Sequence, residues 1–426
     1  MTKHSGRRLL VLGGDVLSCQ IVTKAQEAGA FVYVTDWYPV ERSPAKQIAD
    51  TPCMVSTADV DAVVRLVHEE RIDGVITGFT DSVLPYYARI CSRARLPCYG
   101  SEEQFVVLTD KQRYKALFER HGVPVVPTID VAGVDSMPSG SYPLLIKPSD
   151  GSGARGVRVC AEPSELRECI DVARSHSRSG DVIIEPYVRG SELTAFYLFV
   201  DGDYRLAAVA NRHMASFGHG SIGLPVGYSF PSVHGKGFAN SVAGPFESAL
   251  RELGVQNGMM FVQCIVADGQ YMVYDVGFRL TGSLEYIPLE RLTGMNALAM
   301  MIDFAFTGKM LENRLGALEA PDGYGLNMTF LARPGRIGSM LGLDRLRSLH
   351  GVLDVVPAYT VGREVPQEAA GTLAQVLVRA LAVSSSPEGL MQTITSAQAV
   401  LDVRDTCGQD LLVGRLDADD VAEHVA

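Results

Sequence analysis

The chain lacks an apolar run of the length that a membrane span needs, about 20 residues. Its first apolar run, residues 9–12, follows a polar and basic start and stops at Gly13. That run is too short for the core of a signal peptide, and it predicts a buried strand instead. With no export signal visible, we expect a cytoplasmic location.

An excess of positive charge is also missing. The sequence has 38 Lys and Arg against 49 Asp and Glu, which gives a formal net charge of -11. A nucleic-acid surface needs a basic patch that displaces counterions, and an anionic membrane attracts basic segments. The composition therefore argues against both kinds of partner.

Closely spaced cysteines are absent too. The eight cysteines are scattered and form no CxxC pair. A structural zinc site requires closer ligand spacing, and disulfides are rare in a reducing compartment. We interpret all eight as free thiols.

Strand and helix patterns alternate over residues 1–104. The predicted strands are 9–12, 31–35 and 74–77, and the predicted helices are 16–28, 60–70 and 83–94. Strands separated by helices imply right-handed crossovers and a parallel, Rossmann-like sheet. Its first turn begins Gly13-Gly14-Asp15 and does not complete the GxGxxG fingerprint of dinucleotide sites. An NAD-dependent oxidoreductase is therefore a weak alternative.

The pattern changes at about residue 105, where short apolar runs joined by turns predict antiparallel strands. We place domain boundaries at 104/105 and 322/323, and we expect an α+β fold for the later part of the chain. The stretch from Ser216 to Tyr228 is rich in Gly and Pro, and we expect segment 211–232 to form loops.

A first cluster of candidate residues joins Lys147 to a glycine-rich loop. The loop residues are Ser152, Gly153, Ala154, Arg155, Gly156 and Val157. Glycines let backbone N–H groups turn toward an anion, and a lysine at a strand end adds charge. No GK[ST] closes the loop, so this is not a Walker A motif. An ordinary hairpin with a buried lysine stem is the alternative reading.

A second cluster lies where an apolar strand ends at Glu185, with Glu192 following after a short linker that contains Pro186 and Gly190. Such a linker can present backbone groups to a purine edge, and Glu192 to ribose hydroxyls. Two solvated surface acids are the alternative reading.

A third cluster joins Gln263 to Asp275, on consecutive apolar strands with Asp268-Gly269 as the turn between them. Oxygen ligands on neighbouring strands suit Mg²⁺, which also takes phosphate oxygens and water. Arg279 follows and is placed to stabilise a transferring phosphoryl group. The polar end of a buried hairpin is the alternative reading.

In this order, the three clusters resemble the ATP-grasp superfamily over nearly the whole chain. The resemblance implies a pre-ATP-grasp domain at 1–104, an ATP-grasp domain at 105–322 with a lid at about 142–190, and a small C-terminal lobe at 323–426. It implies ATP and Mg²⁺ as cofactors. It also implies that Lys111 and Lys147 contact phosphates, the glycine loop covers them, Glu185 and Val188 meet adenine, and Glu192 meets ribose.

The same resemblance places Gln263 and Asp275 at the metal and makes Arg279 catalytic. The usual third motif is Glu-x-Asn-x-Arg with an acid upstream, whereas this chain has Asp275, Gly277 and Arg279 with Gln263 upstream. One carboxylate in place of two implies weaker Mg²⁺ binding.

The resemblance implies a carboxylate–amine ligase that forms an acyl phosphate from a small-molecule carboxylate and passes it to an amine. Arg212 is our candidate for binding a substrate carboxylate, because its planar fork matches one. The alternatives are a bicarbonate-phosphorylating carboxylase of the biotin carboxylase type and an ATP-binding regulatory protein with impaired catalysis. Homodimers are common in the family, although no feature of this sequence indicates one.

Overall fold

The computed structural model describes residues 2–130, 134, 137–218, 220, 222–310 and 323–425. The predicted boundary at residue 322 lies outside these ranges. Within them, no helix has both the length and the apolar character that crossing a membrane demands.

The N-terminal segment is a four-stranded parallel sheet flanked by helices. Its elements are β1 (Arg8–Leu12), α1 (Ser18–Glu27), β2 (Phe31–Thr35), α2 (Pro44–Ile48), β3 (Thr51–Cys53), α3 (Val60–Glu69), β4 (Gly74–Ile76) and α4 (Leu84–Ala94). The strand order is β3-β2-β1-β4. The Rossmann-like prediction is confirmed. The sequence pattern missed β3, a three-residue edge strand containing Pro52, which is too short for a periodic signal.

A smaller unit with its own core follows the helical pair α5 (Glu102–Thr109) and α6 (Lys111–Arg120). It consists of β5 (Leu144–Pro148), β6 (Arg158–Cys160), α7 (Leu166–Ser175) and β7 (Val182–Pro186). The three strands are antiparallel in the order β6-β5-β7. Leu144, Ile146, Leu166 and Ile184 form its separate apolar cluster. This unit is the part of the chain that the sequence predicts as a lid.

A large antiparallel sheet makes up most of the remaining chain. Its central elements are β8 (Ser191–Val200), β9 (Asp203–Ala215), β10 (Leu224–Phe230), α8 (Gly235–Phe238), α9 (Gly244–Glu252), β11 (Gly258–Ala267), β12 (Gln270–Gly277), α10 (Tyr286–Thr293) and α11 (Ala297–Thr307). The expectation that segment 211–232 forms loops is wrong, because much of it belongs to β9 and β10. A β-bulge between Pro225 and Gly227 accommodates the proline inside the sheet.

The chain after residue 323 extends this sheet. Its elements are β13 (Tyr324–Ala332), β14 (Gly335–Leu341), α12 (Leu343–Arg347), β15 (Val352–Pro357), β16 (Glu364–Val365), β17 (Val376–Ser384), α13 (Pro387–Val400), β18 (Asp402–Asp405), β19 (Leu412–Val413) and α14 (Ala418–His424). The strand order is β12-β11-β8-β9-β10-β13-β17-β15, with β19 paired to β13. Strands from both sides of the predicted boundary at 322/323 therefore belong to one sheet. The boundary itself stays a prediction.

Two apolar clusters hold these parts together. One joins the N-terminal sheet to the β8–β11 side of the large sheet and to α11, and the other packs α13 against β13 and β17. Asp303 of α11 accepts from the imidazole of His4 at 2.7 Å, which fixes the N-terminus to this helix. This packing brings the loop after β4 to the edge of the large sheet.

Candidate functional site

The sequence-predicted residues converge on one cavity of about 430 Å³. The lid sheet, β11, β12 and the loop after β4 enclose it. Among the predicted residues, all but Gly156 line its wall: Lys111, Lys147, Ser152, Gly153, Ala154, Arg155, Val157, Glu185, Val188, Glu192, Arg212, Gln263, Asp275 and Arg279. Cavities of 300–1,000 Å³ typically hold drug-sized ligands, so this one has room for a nucleotide.

Two buried lysines surround Glu185: Lys147 lines the cavity wall together with Glu185, and Lys115 contacts Glu185 without lining the wall. Lys147 Nζ lies 2.8 Å from Glu185 Oε2, and Lys115 Nζ contacts Glu185 Oε1. Lys115 also donates to the carbonyl of Val126 at 2.6 Å. Burial lowers the pKa of Lys115, and the Glu185 carboxylate opposes that shift. Two ammonium groups thus face one carboxylate, which leaves positive charge available to an anionic ligand.

The sequence reading missed Lys115. It follows Lys111 by four residues on α6, so both side chains lie on the same face of the helix. That spacing was the available signal. Lys111 Nζ donates to the carbonyl of Gly151 at 2.8 Å and lies 3.5 Å from Asp275 Oδ1. Lys111 therefore links the glycine loop to the predicted metal residue.

The glycine loop has a backbone shape that needs its small residues. Gly153, Ala154 and Gly156 have φ values of 69°, 63° and 72°. A Cβ at Gly156 would lie 2.7 Å from His176 Cβ, so a side chain does not fit there. The N–H of Leu373 donates to the Gly153 carbonyl at 3.1 Å. The tip of the loop is thereby held against the C-terminal part of the chain.

Glu192 and Arg212 face each other on β8 and β9 and form an ion pair. The hydroxyl of Tyr274 donates to Glu192 Oε2 at 2.7 Å and accepts from Arg212 Nη1 at 3.0 Å. Burial raises the pKa of Tyr274 well above its ordinary value, so the hydroxyl stays protonated. Sequence reasoning missed Tyr274. Arg212 is expected to bind a substrate carboxylate. Glu192 would compete with that carboxylate, because it already pairs with the Arg212 guanidinium.

Gln263 and Asp275 lie directly opposite each other in the β11–β12 register, and a bulge follows Gln263. The hydroxyl of Tyr114 donates to Asp275 Oδ1 at 3.3 Å. In the part of the chain that the structure describes, no cluster of three or more His, Cys, Asp or Glu residues could hold a metal ion unaided. A cation here would take one carboxylate and one amide oxygen from the protein and its other ligands from phosphate and water.

Phe261 explains why glycine stands at position 277. A Cβ built on Gly277 would lie 2.2 Å from Phe261 Cε1, so the asparagine of the usual motif does not fit. The guanidinium of Arg279 lies 5.2 Å from the centre of the same ring, a cation–π distance. The altered motif is therefore a repacked arrangement in which an aromatic ring fills the space that a side chain at position 277 would need.

Arg279 is bound by Asp81 through two parallel contacts. Its Nε and Nη2 lie 2.7 Å from Asp81 Oδ1 and Oδ2 respectively. Asp81 belongs to the short helical turn after β4, at the carboxyl edge of the N-terminal sheet. That edge is where open α/β sheets bind ligands, and it was the signal that the sequence reading did not use. The N-terminal segment thus orients a residue of the central site.

Comparison with known proteins agrees with this geometry. A family profile described as an ATP-grasp domain matches residues 108–283. The 2-oxoglutarate carboxylase small subunit of Hydrogenobacter thermophilus is 24% identical over 217 residues, 46% of this chain and 45% of that protein. A formate-dependent phosphoribosylglycinamide formyltransferase of Bacillus subtilis is 23% identical over 201 residues, 43% of this chain and 49% of that protein. The chain thus spans about half the length of these curated relatives.

Solved structures resemble the chain over most of its length. An L-amino acid ligase from Bacillus licheniformis has a TM-score of 0.75 at 18% identity, covering 94% of this chain and 99% of that chain. A phosphoribosylglycinamide synthetase from Anaerococcus prevotii has a TM-score of 0.71 at 16% identity, covering 94% and 100%. At such identities the likeness shows the fold. The profile match identifies residues 108–283 as an ATP-grasp domain.

Proposed function

We propose that this protein is an ATP- and Mg²⁺-dependent ligase that activates a small-molecule carboxylate as an acyl phosphate for attack by an amine. The observation that carries the proposal is the convergence of lysines, glycine loop, acids and Arg279 on one cavity. Such a reaction depends mainly on positioning and charge neutralisation, which are what buried cations around a cavity provide.

In this proposal ATP lies between the lid sheet and the large sheet. Lys111, Lys147 and the loop from Ser152 to Val157 bind its phosphates. Adenine contacts the backbone near Val188, while the Glu185 carboxylate holds Lys147 in place. Glu192 receives the ribose hydroxyls with its second oxygen, since Arg212 and Tyr274 engage Oε2. Closure of the glycine loop keeps water away from the acyl phosphate.

The protein groups also fit Mg²⁺. Asp275 has a carboxylate side chain that is 32% exposed, and Gln263 lies opposite it with a neutral amide oxygen. Hard cations prefer such oxygens together with phosphate and water. When bound, Mg²⁺ supplies neutralisation of phosphate charge. Arg279, held by Asp81 and Phe261, is positioned to stabilise the negative charge on the transferred phosphoryl group.

Lys147→Met tests the proposal, with Lys24→Met on the exposed face of α1 as the matched control. We expect the wild type to release ADP with at least one acid–amine pair from a substrate library. In Lys147→Met, the affinity for ATP and the rate of ADP release should each fall at least about 100-fold, because a buried charge contact is lost. A folded Lys147→Met variant with unchanged ADP release would contradict the site assignment.

One alternative is phosphorylation of bicarbonate, which the similarity to a 2-oxoglutarate carboxylase small subunit favours. It predicts ADP release with bicarbonate alone and no amine requirement. A second alternative is ATP binding without turnover, which the single carboxylate of the metal site and the Phe261 ring beside Gly277 favour. Tight nucleotide binding with no ADP release at saturating Mg²⁺, across the library and bicarbonate, would support it.

The cellular setting is part of the same proposal. We infer a cytoplasmic enzyme that acts on small molecules and does not bind nucleic acid or membranes. One similar structure is a biotin carboxylase domain dimer, and light scattering of the purified chain tests whether a homodimer forms here.

A further inference from the structure

A row of polar side chains crosses one face of the large sheet. Register places Glu192 opposite Arg212, Arg212 opposite Tyr228, and Tyr228 opposite Asn327. Directly opposed residues in antiparallel strands share a face of the sheet. The hydroxyl of Thr329 donates to Asn327 Oδ1 at 3.0 Å, and Thr329 lies opposite Arg379 on β17. The row therefore runs from the proposed ATP pocket to Arg379.

Arg379 differs from Arg212 and Arg279, two arginines that line the cavity. Arg212 is paired with Glu192, and Arg279 with Asp81. The Arg379 side chain makes no hydrogen bond or ion pair with any residue that the structure describes, and its Nε is buried without a partner. Burial lowers the pKa of Arg379, and Tyr228 and Glu285 only partly oppose that shift. The residue as a whole is only partly buried, but an enclosed N–H of a cation that lacks an acceptor is costly, and it indicates a missing anion.

The neighbouring acid does not supply that anion. Glu285 is fully buried, and its Oε2 accepts from the Thr281 hydroxyl at 2.6 Å while its Oε1 has no partner. Burial raises the pKa of Glu285, which favours its neutral form. No ion pair within 4.0 Å joins Glu285 to Arg379 among the described residues. Glu285 therefore offsets the positive charge of Arg379 only in part.

The position of Arg379 relative to the reaction site follows from the chain. The segment Thr281–Glu285 begins two residues after Arg279, and Asn327 Nδ2 donates to the carbonyl of Ser283. This bond fixes the segment on the same sheet face as Tyr228 and Arg379. The segment thus connects Arg279, which we place at the transferred phosphoryl group, to the surroundings of Arg379.

We propose that Arg379, with the hydroxyl of Tyr228, forms a subsite for an anionic group of the acceptor substrate. The group is a carboxylate or phosphate that is not itself activated, such as the carboxylate of an α-amino acid or the phosphate of a phosphorylated amine. The subsite rests on the proposed ligase function and adds a substrate class to it. Two guanidinium nitrogens beyond Nε suit either anion.

The test combines Arg379→Met with Arg336→Met, a control that removes an exposed arginine on β14. Both variants and the wild type are titrated, in the presence of Mg²⁺ and a non-hydrolysable ATP analogue, with matched compounds. The first series pairs α-amino acids with the corresponding amines that lack the carboxylate. The second pairs phosphorylated amines with the corresponding amino alcohols. Binding is followed by calorimetry and by the shift in Tm.

We expect the wild type and Arg336→Met to bind the anionic member of at least one pair more tightly than its neutral partner. Arg379→Met should lose about 10- to 100-fold in affinity for that member, the scale of one charge-assisted contact. Its affinity for the ATP analogue should be unchanged. The series that responds identifies the anion as carboxylate or phosphate.

Stability gives an independent readout. Since Arg379 has no partner to lose, the Tm of Arg379→Met without ligand should equal or exceed that of the wild type. A Tm several degrees lower would assign Arg379 a structural role and overturn the subsite. Unchanged affinity for every anionic compound in Arg379→Met would also overturn it, as would a wild type that binds the analogue but no anionic compound. A wild type that fails to bind the ATP analogue would instead overturn the proposed ligase function.

Discussion

Two buried polar clusters, one at the lid sheet and one on the large sheet, have opposite charge balances. At the lid sheet, Lys115 of α6 and Lys147 of β5 share the single carboxylate of Glu185 on β7. At the other cluster, the imidazole of His213 lies 2.8 Å from the Ser229 hydroxyl and 2.5 Å from Asp420 on α14. The second cluster has the order of a Ser–His–Asp triad, whereas the first has no familiar catalytic pattern.

Exposure and charge distinguish the two clusters. Ser229 is 0% exposed, and its hydroxyl also lies 3.2 Å from Asn211 Nδ2. No substrate reaches it, so His213 and Asp420 fasten α14 to β9 and β10 instead of activating a nucleophile. In the lysine cluster, Lys147 and Glu185 line a cavity, and the two lysines face a single carboxylate. An enclosed network whose polar groups all have partners stabilises the fold. A network with unbalanced charge beside a cavity indicates a ligand.

Removal of the shared carboxylate is the strongest way to break this comparison. Glu185→Gln leaves two buried ammonium groups without their counter-charge, and loss of one partner from a buried pair costs about 3–5 kcal/mol. We expect the free energy of unfolding in urea to fall by about that amount. Glu27→Gln, whose side chain is exposed and pairs with Lys24, should change it little. Equal stability of the two variants would contradict the buried arrangement.

The repacked motif gives the next largest effect. Gly277→Asn places a side chain against the Phe261 ring, and overpacking of a core typically costs about 1–3 kcal/mol. Phe261→Ala in the same chain should recover part of that loss, because it removes the obstructing ring. The measurement is a double-mutant cycle of unfolding free energies. Additive losses would contradict the proposed contact.

A third test changes the charge at Gln263, in the proposed Mg²⁺ site, and measures nucleotide binding. Gln263→Glu restores a second carboxylate opposite Asp275. The Mg²⁺ concentration for half-maximal nucleotide binding should fall about tenfold, which corresponds to about 1.4 kcal/mol. Gln392→Glu, at an exposed position of α13, is the matched control. An unchanged Mg²⁺ requirement would separate Gln263 from the metal.

The His213 cluster should show the smallest effect, and it depends on pH. Burial lowers the pKa of His213 despite its bond to Asp420, so the unfolded chain takes up this proton first. The stabilising contribution is therefore complete above the unfolded pKa of about 6.5 and declines as pH falls below it, by at most about 1.4 kcal/mol per pH unit. His213→Gln should flatten that part of the stability–pH curve, whereas the exposed-site variant His350→Gln should not. Parallel curves for wild type and His213→Gln would refute this.

The sequence predicted the local elements well where they had a clear period. The strands predicted at 9–12 and 31–35 appear within one residue of their expected ends. It failed where tertiary packing overrides composition. Strand β10 contains Pro225 and Gly227 and looks like a loop, but a bulge and the contact of Gly227 with Leu416 make it a strand.

The candidate site shows the same division. The sequence by itself determined which residue types recur in order, so Lys147, the glycine loop, Asp275 and Arg279 were visible from motif spacing. Tertiary structure alone decided their partners, because Asp81, Lys115, Tyr274 and Phe261 come from distant segments or lack a motif. It also decided that Arg379 stays unpaired while Arg212 does not. Spacing along a chain records local geometry, whereas charge balance depends on which strands the fold places side by side.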